Sequence, residues 1–170
     1  DHYFLHSLGS EAQYKKVYHE YGALKYLDEE RAKGRLKYLG FSFHGKKDFL
    51  KRLLELHPEI RFVSLMGVDF AGNDTDEKIP VKIFLEDMES FLEGSAAQTD
   101  GSSVVLPGIA SLNDARVDMV VDKDVNWFVD YNYEHFDDQN GRMIGTLRIP
   151  CFLRHNGEFV CSRSILKNTL

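Results

Sequence analysis

This sequence of 170 residues has no long apolar run and no excess of basic residues. It also has no segment with the composition of a flexible linker. No apolar run approaches the roughly 20 residues that a membrane helix needs, so we expect no membrane span. Lys and Arg number 21 against 27 Asp and Glu, and the net charge of -6 argues against nonspecific binding of nucleic acid. No Gly/Ser-rich or Pro-rich linker separates domains, and no internal repeat is present.

Cysteine is also scarce, with only Cys151 and Cys161 present. They flank Asn156-Gly157, a dipeptide that strongly favours a β-hairpin with a two-residue loop. In that register His155 faces Glu158, and the two cysteines lie on opposite faces of the hairpin. We therefore expect no disulfide, which fits a reducing, cytoplasmic location.

Hydrophobic periodicity predicts helices and strands in comparable amounts. The predicted helices are 11–33 with a break at Gly22, 48–56 and 83–92. The predicted strands are 3–5, 36–42, 61–70, 117–121, 125–131, 146–153 and 158–161. From this pattern we expect residues 61–161 to form one mixed sheet packed on the helix at 83–92.

The first third carries two motifs of one enzyme family. Asp1-His2-Tyr3-Phe4-Leu5-His6-Ser7-Leu8-Gly9 and Gly40-Phe41-Ser42-Phe43-His44 resemble neighbouring strands of the aldo/keto reductase barrel, and Leu56-His57-Pro58 also fits. The resemblance implies a βα-barrel fragment over residues 1–58. It also implies that His6 is the active-site histidine and that Ser42 contacts the carboxamide of a nicotinamide cofactor, NADP. The family's tyrosine, lysine and aspartate would lie before Asp1.

The remainder resembles the N-terminal β-grasp domain of glutamine synthetases. The matching segments occur in the family's order: Val68-Asp69-Phe70-Ala71-Gly72, Lys78-Ile79-Pro80-Val81, Asp100-Gly101-Ser102-Ser103, Asp118-Met119-Val120-Val121-Asp122 and Ser162-Arg163-Ser164-Ile165-Leu166-Lys167. Pro107-Gly108-Ile109, after the serines, departs from the family pattern.

This second resemblance implies a domain over residues 59–170 that completes the active site of a neighbouring subunit in a homo-oligomer. Asp100 and Ser103 would contribute to the ammonium pocket of a ligase that joins glutamate and ammonium. ATP and Mg²⁺ would bind a catalytic domain following Leu170, so we expect no cofactor in this chain. The chain begins at Asp1 without Met, and we expect a fragment or trimmed chain that is inactive alone.

The expected architecture is thus α/β plus α+β: a partial βα-barrel-like unit followed by a β-grasp domain. The leading function is the N-terminal portion of a glutamine synthetase-like ligase. The alternatives are an aldo/keto reductase-like oxidoreductase fragment and an inactive chimeric scaffold. We expect no metal site, because the four-residue spacing of His2 and His6 suits a helix, whereas this segment is predicted as a strand.

Overall fold

The computed structural model describes residues 2–36, 38–106 and 116–169 of a mixed α/β protein. The chain divides into two compact units. The first consists of residues 1–61 and 126–147, and the second of residues 62–125 and 148–170. The first unit therefore includes residues 126–147, which the sequence analysis places in the second domain.

Helices and strands are mostly short. The α-helices are α1 (Glu11–Tyr14), α2 (Ala23–Ala32), α3 (Lys47–Leu56), α4 (Val81–Glu86), α5 (Met88–Glu93) and α6 (Ser162–Thr169). The strands are β1 (His2–Leu8), β2 (Tyr38–Phe43), β3 (Ile60–Val68), β4 (Asp74–Pro80), β5 (Gln98–Asp100), β6 (Arg116–Val121), β7 (Trp127–Phe136), β8 (Met143–His155) and β9 (Glu158–Phe159).

The first unit contains a β-α-β crossover and an antiparallel neighbour. β1 and β2 pair in parallel, with Leu5 opposite Phe41, and β2 pairs antiparallel with β7. Phe43 stacks between Phe49 and Trp127, at centroid distances of 5.7 and 5.5 Å. Trp127 belongs to the core, because its side chain is buried in this stack.

The helical segment between β1 and β2 is interrupted where the sequence predicts a break. Ser10 caps α1 by accepting a hydrogen bond from the backbone N–H of Gln13. A π-helical turn, Lys15–Glu20, continues α1. Gly22 then adopts a φ of 69°, which glycine reaches without the steric cost that a Cβ imposes, and α2 begins at the next residue.

The second unit is built around antiparallel ladders rather than further β-α-β crossovers. β3 and β4 form a hairpin from Phe62 opposite Pro80 to Val68 opposite Asp74. β6 pairs antiparallel with β5 and β8. At the predicted turn, His155 lies opposite Glu158, and both cysteines are free, so the register and the absence of a disulfide are confirmed.

Two parts of the sequence prediction for this unit are wrong. The helix expected at 83–92 is two helices, because Asp87 has φ -135° and ψ 42° and its side chain accepts a hydrogen bond from Ser90. β4 was not predicted, because its sequence is largely polar and lacks the alternation that marks a half-buried strand. The predicted departure at Pro107-Gly108-Ile109 lies outside the described residues.

No helix among the described residues is long and apolar enough to cross a membrane.

Two glycines of the second unit allow the cost of backbone strain to be compared with the cost of close packing. Both have positive φ, 82° at Gly72 and 74° at Gly94, but a Cβ at Gly72 would meet nothing within 4 Å. A Cβ at Gly94 would lie 2.9 Å from the Cα of Val120 and 3.1 Å from the carbonyl oxygen of Met119. We expect Gly72→Ala to cost about 1–2 kcal/mol for the left-handed conformation. Gly94→Ala should cost about 1–3 kcal/mol more, because backbone must move.

Urea unfolding of both variants measures this difference. Equal losses in the free energy of unfolding would show that the strand beside Gly94 accommodates the methyl group without strain.

Candidate functional site

The turn between β3 and β4 is organised by one buried carboxylate. Asp69 is 1% exposed and follows directly after β3. Its Oδ1 accepts the backbone N–H groups of Ala71 and Asn73, each at 2.9 Å. Its Oδ2 accepts the Asn73 amide at 3.0 Å and the Val105 backbone N–H at 2.9 Å. Every donor is an N–H group, so the arrangement suits an ionised carboxylate.

The electrostatics of Asp69 follow from these contacts. Burial alone would raise its pKa, because a carboxylate loses hydration. The hydrogen bonds from Val105, Asn73 and Ala71 outweigh burial and lower the pKa to about 2. Asp69 is therefore charged at neutral pH, and both of its carboxylate oxygens are bonded to N–H groups of the protein.

Two distant parts of the chain hydrogen-bond to Asp69, one to its carboxylate through Val105 and one to its backbone carbonyl through Ser162. Val105 follows the Asp100-Gly101-Ser102-Ser103 loop and also accepts the Phe70 N–H at 3.1 Å through its carbonyl. Ser162, at the start of α6, donates its hydroxyl to the Asp69 carbonyl oxygen at 3.4 Å. Segments that lie 36 and 93 residues from Asp69 in the sequence are thus fixed to one turn.

Asp100 and Ser103, the predicted ligase residues, are both exposed. Asp100 ends β5, and its Oδ1 accepts the Ser102 backbone N–H at 2.9 Å, which caps the 3₁₀ turn Gly101–Ser103. Hydrogen bonds from Ser102 lower the pKa of the Asp100 carboxyl. The loop therefore presents an ionised carboxylate at the surface.

His6 and Ser42, the predicted oxidoreductase residues, lie together in the first unit. They occupy the paired parallel strands β1 and β2, and the His6 Nδ1 lies 3.4 Å from the Ser42 hydroxyl. The His44 ring lies 6.3 Å from the His6 ring between centroids. No tyrosine or lysine of the described segments hydrogen-bonds to His6.

Sequence analysis missed a buried polar cluster in the first unit. The Tyr14 hydroxyl lies 3.0 Å from His57 Nε2, and His57 Nδ1 lies 2.8 Å from Glu59 Oε1. All three side chains are buried. The two ring nitrogens of His57 thus join the Tyr14 hydroxyl to the Glu59 carboxylate. The signal that could have revealed this cluster is His57-Pro58-Glu59, a polar triplet between an apolar helix and an apolar strand.

The cluster extends to the loop between β7 and β8. Asn140 donates its amide to Glu59 at 3.0 Å, and Arg142 donates to it at 3.3 Å. Burial would raise the pKa of Glu59, but hydrogen bonding to His57 and the Arg142 charge lower it overall. Each member has partners, so the cluster fixes helix, strand and loop in one arrangement.

No group of three or more His, Cys, Asp or Glu side chains in the described part of the chain is placed to hold a metal ion. No protein-family model and no curated protein matches this sequence.

Asp69→Asn tests the role of the buried carboxylate. The amide keeps one oxygen but turns an NH₂ group towards N–H donors, so we expect a clear loss of stability at pH 7. The fold lowers the pKa of Asp69 from its ordinary value near 4 to about 2. The stability it contributes is therefore full above pH 4 and disappears as the pH falls from 4 to 2.

The free energies of unfolding of wild type and Asp69→Asn should accordingly converge over that interval. Asp74→Asn, at an exposed position of the same hairpin, is the matched control and should track wild type. A gap between wild type and Asp69→Asn that stays constant down to pH 2 would contradict this account.

Proposed function

We propose that this chain is the N-terminal portion of a glutamine synthetase-like ligase. In this proposal residues 59–170 are its β-grasp domain. The observation that supports it is the convergence on Asp69. Val105, two residues after the Asp100–Ser103 segment, hydrogen-bonds to the Asp69 carboxylate, and Ser162 hydrogen-bonds to the Asp69 backbone carbonyl. Three segments that the resemblance places in one domain therefore meet at one turn.

Asp100 supplies the proposed chemistry. Its ionised carboxylate attracts an ammonium ion. Once a neighbouring subunit covers the loop, the carboxylate acts as a general base and accepts the proton that the ammonium ion loses, which leaves the attacking amine. Covering matters because the same charge pair is several times stronger away from bulk water. Ser103 adds a neutral hydrogen bond, about half as strong as an ionic one. ATP and Mg²⁺ bind the catalytic domain in this scheme, and the isolated chain is inactive.

The test places the full chain in front of a glutamine synthetase catalytic domain, because residues 126–147 belong to the first unit, and varies ammonium in steady-state assays. Glutamine formation is expected. Asp100→Ala should raise the KM for ammonium about 10- to 100-fold, as for loss of a hydrogen bond to a charged group. Ser103→Ala should raise it less, and the KM for ATP should stay unchanged in both.

Asp74→Ala is the matched control, because this aspartate is exposed in the same unit but lies outside the loop. Mixing Asp100→Ala subunits with subunits defective in the catalytic domain should restore activity if the loop serves a neighbour's site. Normal ammonium kinetics in Asp100→Ala would reduce the loop to a structural turn.

An aldo/keto reductase-like oxidoreductase is the second candidate, favoured by the contact between His6 and Ser42. Reduction of a carbonyl by a nicotinamide cofactor needs a proton donor beside the carbonyl. Among the described residues, no tyrosine or lysine that could supply or assist this proton transfer hydrogen-bonds to His6. We therefore expect no turnover from this chain, and an inactive scaffold is the outcome if both candidates fail.

NADPH consumption with small aldehydes measures this second candidate. We expect a rate indistinguishable from buffer for wild type, His6→Ala and Ser42→Ala. A rate above buffer that His6→Ala abolishes and the exposed control His135→Ala retains would favour the oxidoreductase instead.

A further inference from the structure

The first unit contains a cavity of about 30 Å³ that neither proposed activity uses. Leu24 and Phe41 contribute apolar walls, and Tyr18 and Tyr131 contribute phenol rings. A buried water needs roughly 10–15 Å³ of such space, so the cavity has room for about two water-sized groups.

One hydroxyl lining this cavity is unpartnered. Tyr18 is 5% exposed, and its hydroxyl has no hydrogen-bond partner among the described residues. Burial raises the pKa of Tyr18, so the hydroxyl keeps its proton and can donate. Buried polar groups are nearly always hydrogen-bonded, so this exception points to a water molecule or another group bound beside the hydroxyl.

The backbone around Tyr18 is also unusual. Tyr18 lies in the π-helical turn Lys15–Glu20, which follows α1. Such turns are rare in proteins overall, and those that occur are often at functional sites. Ring packing on Tyr14, at a centroid distance of 4.7 Å, holds the Tyr18 side chain in place.

The charges around the cavity cancel, which restricts the occupant. Arg31 lies 3.2 Å from Asp28, and Arg142 lies 3.3 Å from Glu59 and 3.8 Å from Asp28. Two carboxylates are thus paired with two guanidinium groups. A buried ion would find no uncompensated counter-charge and would lose its hydration, whereas a neutral polar group would not.

We propose that this cavity binds a small uncharged oxygen compound. The occupant is an alcohol or carbonyl compound of two or three non-hydrogen atoms, or the corresponding end of a longer molecule. The Tyr18 hydroxyl donates to its oxygen, and the apolar walls contact its carbon atoms. A longer molecule would continue into the adjoining surface groove, which shares Tyr18, Leu24 and Asp28 with the cavity.

The test is a titration of the chain with ethanol, followed by NMR of tyrosine rings labelled with ¹³C. We expect saturable shifts of the Tyr18 and Tyr131 signals. The best ligands of three non-hydrogen atoms reach a Kd on the order of 1 mM, so the titration extends to about 100 mM. Ethylammonium and formate, which are charged and similar in size, should give no saturable shift of these signals.

Tyr18→Phe removes the hydroxyl and keeps the ring. Followed at Tyr131, it should weaken ethanol binding about two- to tenfold, the range for one neutral hydrogen bond. Its Tm should be unchanged or higher, because the hydroxyl has no protein partner to lose. Tyr21→Phe, at a position 69% exposed, is the matched control and should leave the Kd unchanged.

Several results would overturn the proposal. A linear response to ethanol would mean that the cavity holds only water. Binding of either ion as tightly as ethanol would refute the uncharged class. A lower Tm in Tyr18→Phe would reveal a protein partner for the hydroxyl, and equal weakening in Tyr21→Phe would place the effect elsewhere.

Discussion

A buried carboxylate must recover in hydrogen bonds what it loses in hydration, and each unit of this protein is organised by that requirement. In the second unit Asp69 collects four N–H donors from three residues. Removing any of those donors would leave part of a buried charge unsatisfied, so the hairpin turn and the strand-like segment at Val105 cannot separate without a large cost. The loop that bears Asp100 is thereby attached to the hairpin beside it.

The first unit satisfies the same requirement with side-chain donors at Glu59 and with both side-chain and backbone donors at Asp137. Glu59 is 1% exposed and receives its hydrogen bonds from His57, Asn140 and Arg142. Asp137, also buried, accepts two hydrogen bonds from Arg61 and the backbone N–H groups of Gln139 and Asn140. The β7–β8 loop thus carries donors for one buried carboxylate and contains another. Its conformation depends on both being ionised.

These carboxylates also explain what sequence could and could not predict. Local signals placed the break at Gly22 and the hairpin at Asn156-Gly157, because glycine and turn residues act within a few positions. The partners of Glu59 lie about 80 residues away in Asn140 and Arg142, and no local pattern pairs them. The sequence does not predict polar strands such as β4 for a related reason. Hydrogen bonds to the partner strand, rather than the strand's own residues, hold β4 extended.

The candidate sites also differ in whether local sequence reveals them. His6, Ser42, Asp100 and Ser103 could be named from sequence because motifs carry them, whereas Tyr18 carries no motif and is distinguished only by a hydroxyl without a partner. The two kinds of site also place different demands on their surroundings. An exposed carboxylate such as Asp100 interacts with a cation through water and in competition with salt, so it gains selectivity only when another surface covers it. The Tyr18 hydroxyl is already desolvated, and a neutral occupant would replace water without any further closure. Under the two proposals, binding at Asp100 would depend on assembly, whereas binding at Tyr18 would depend on the fold of one unit alone.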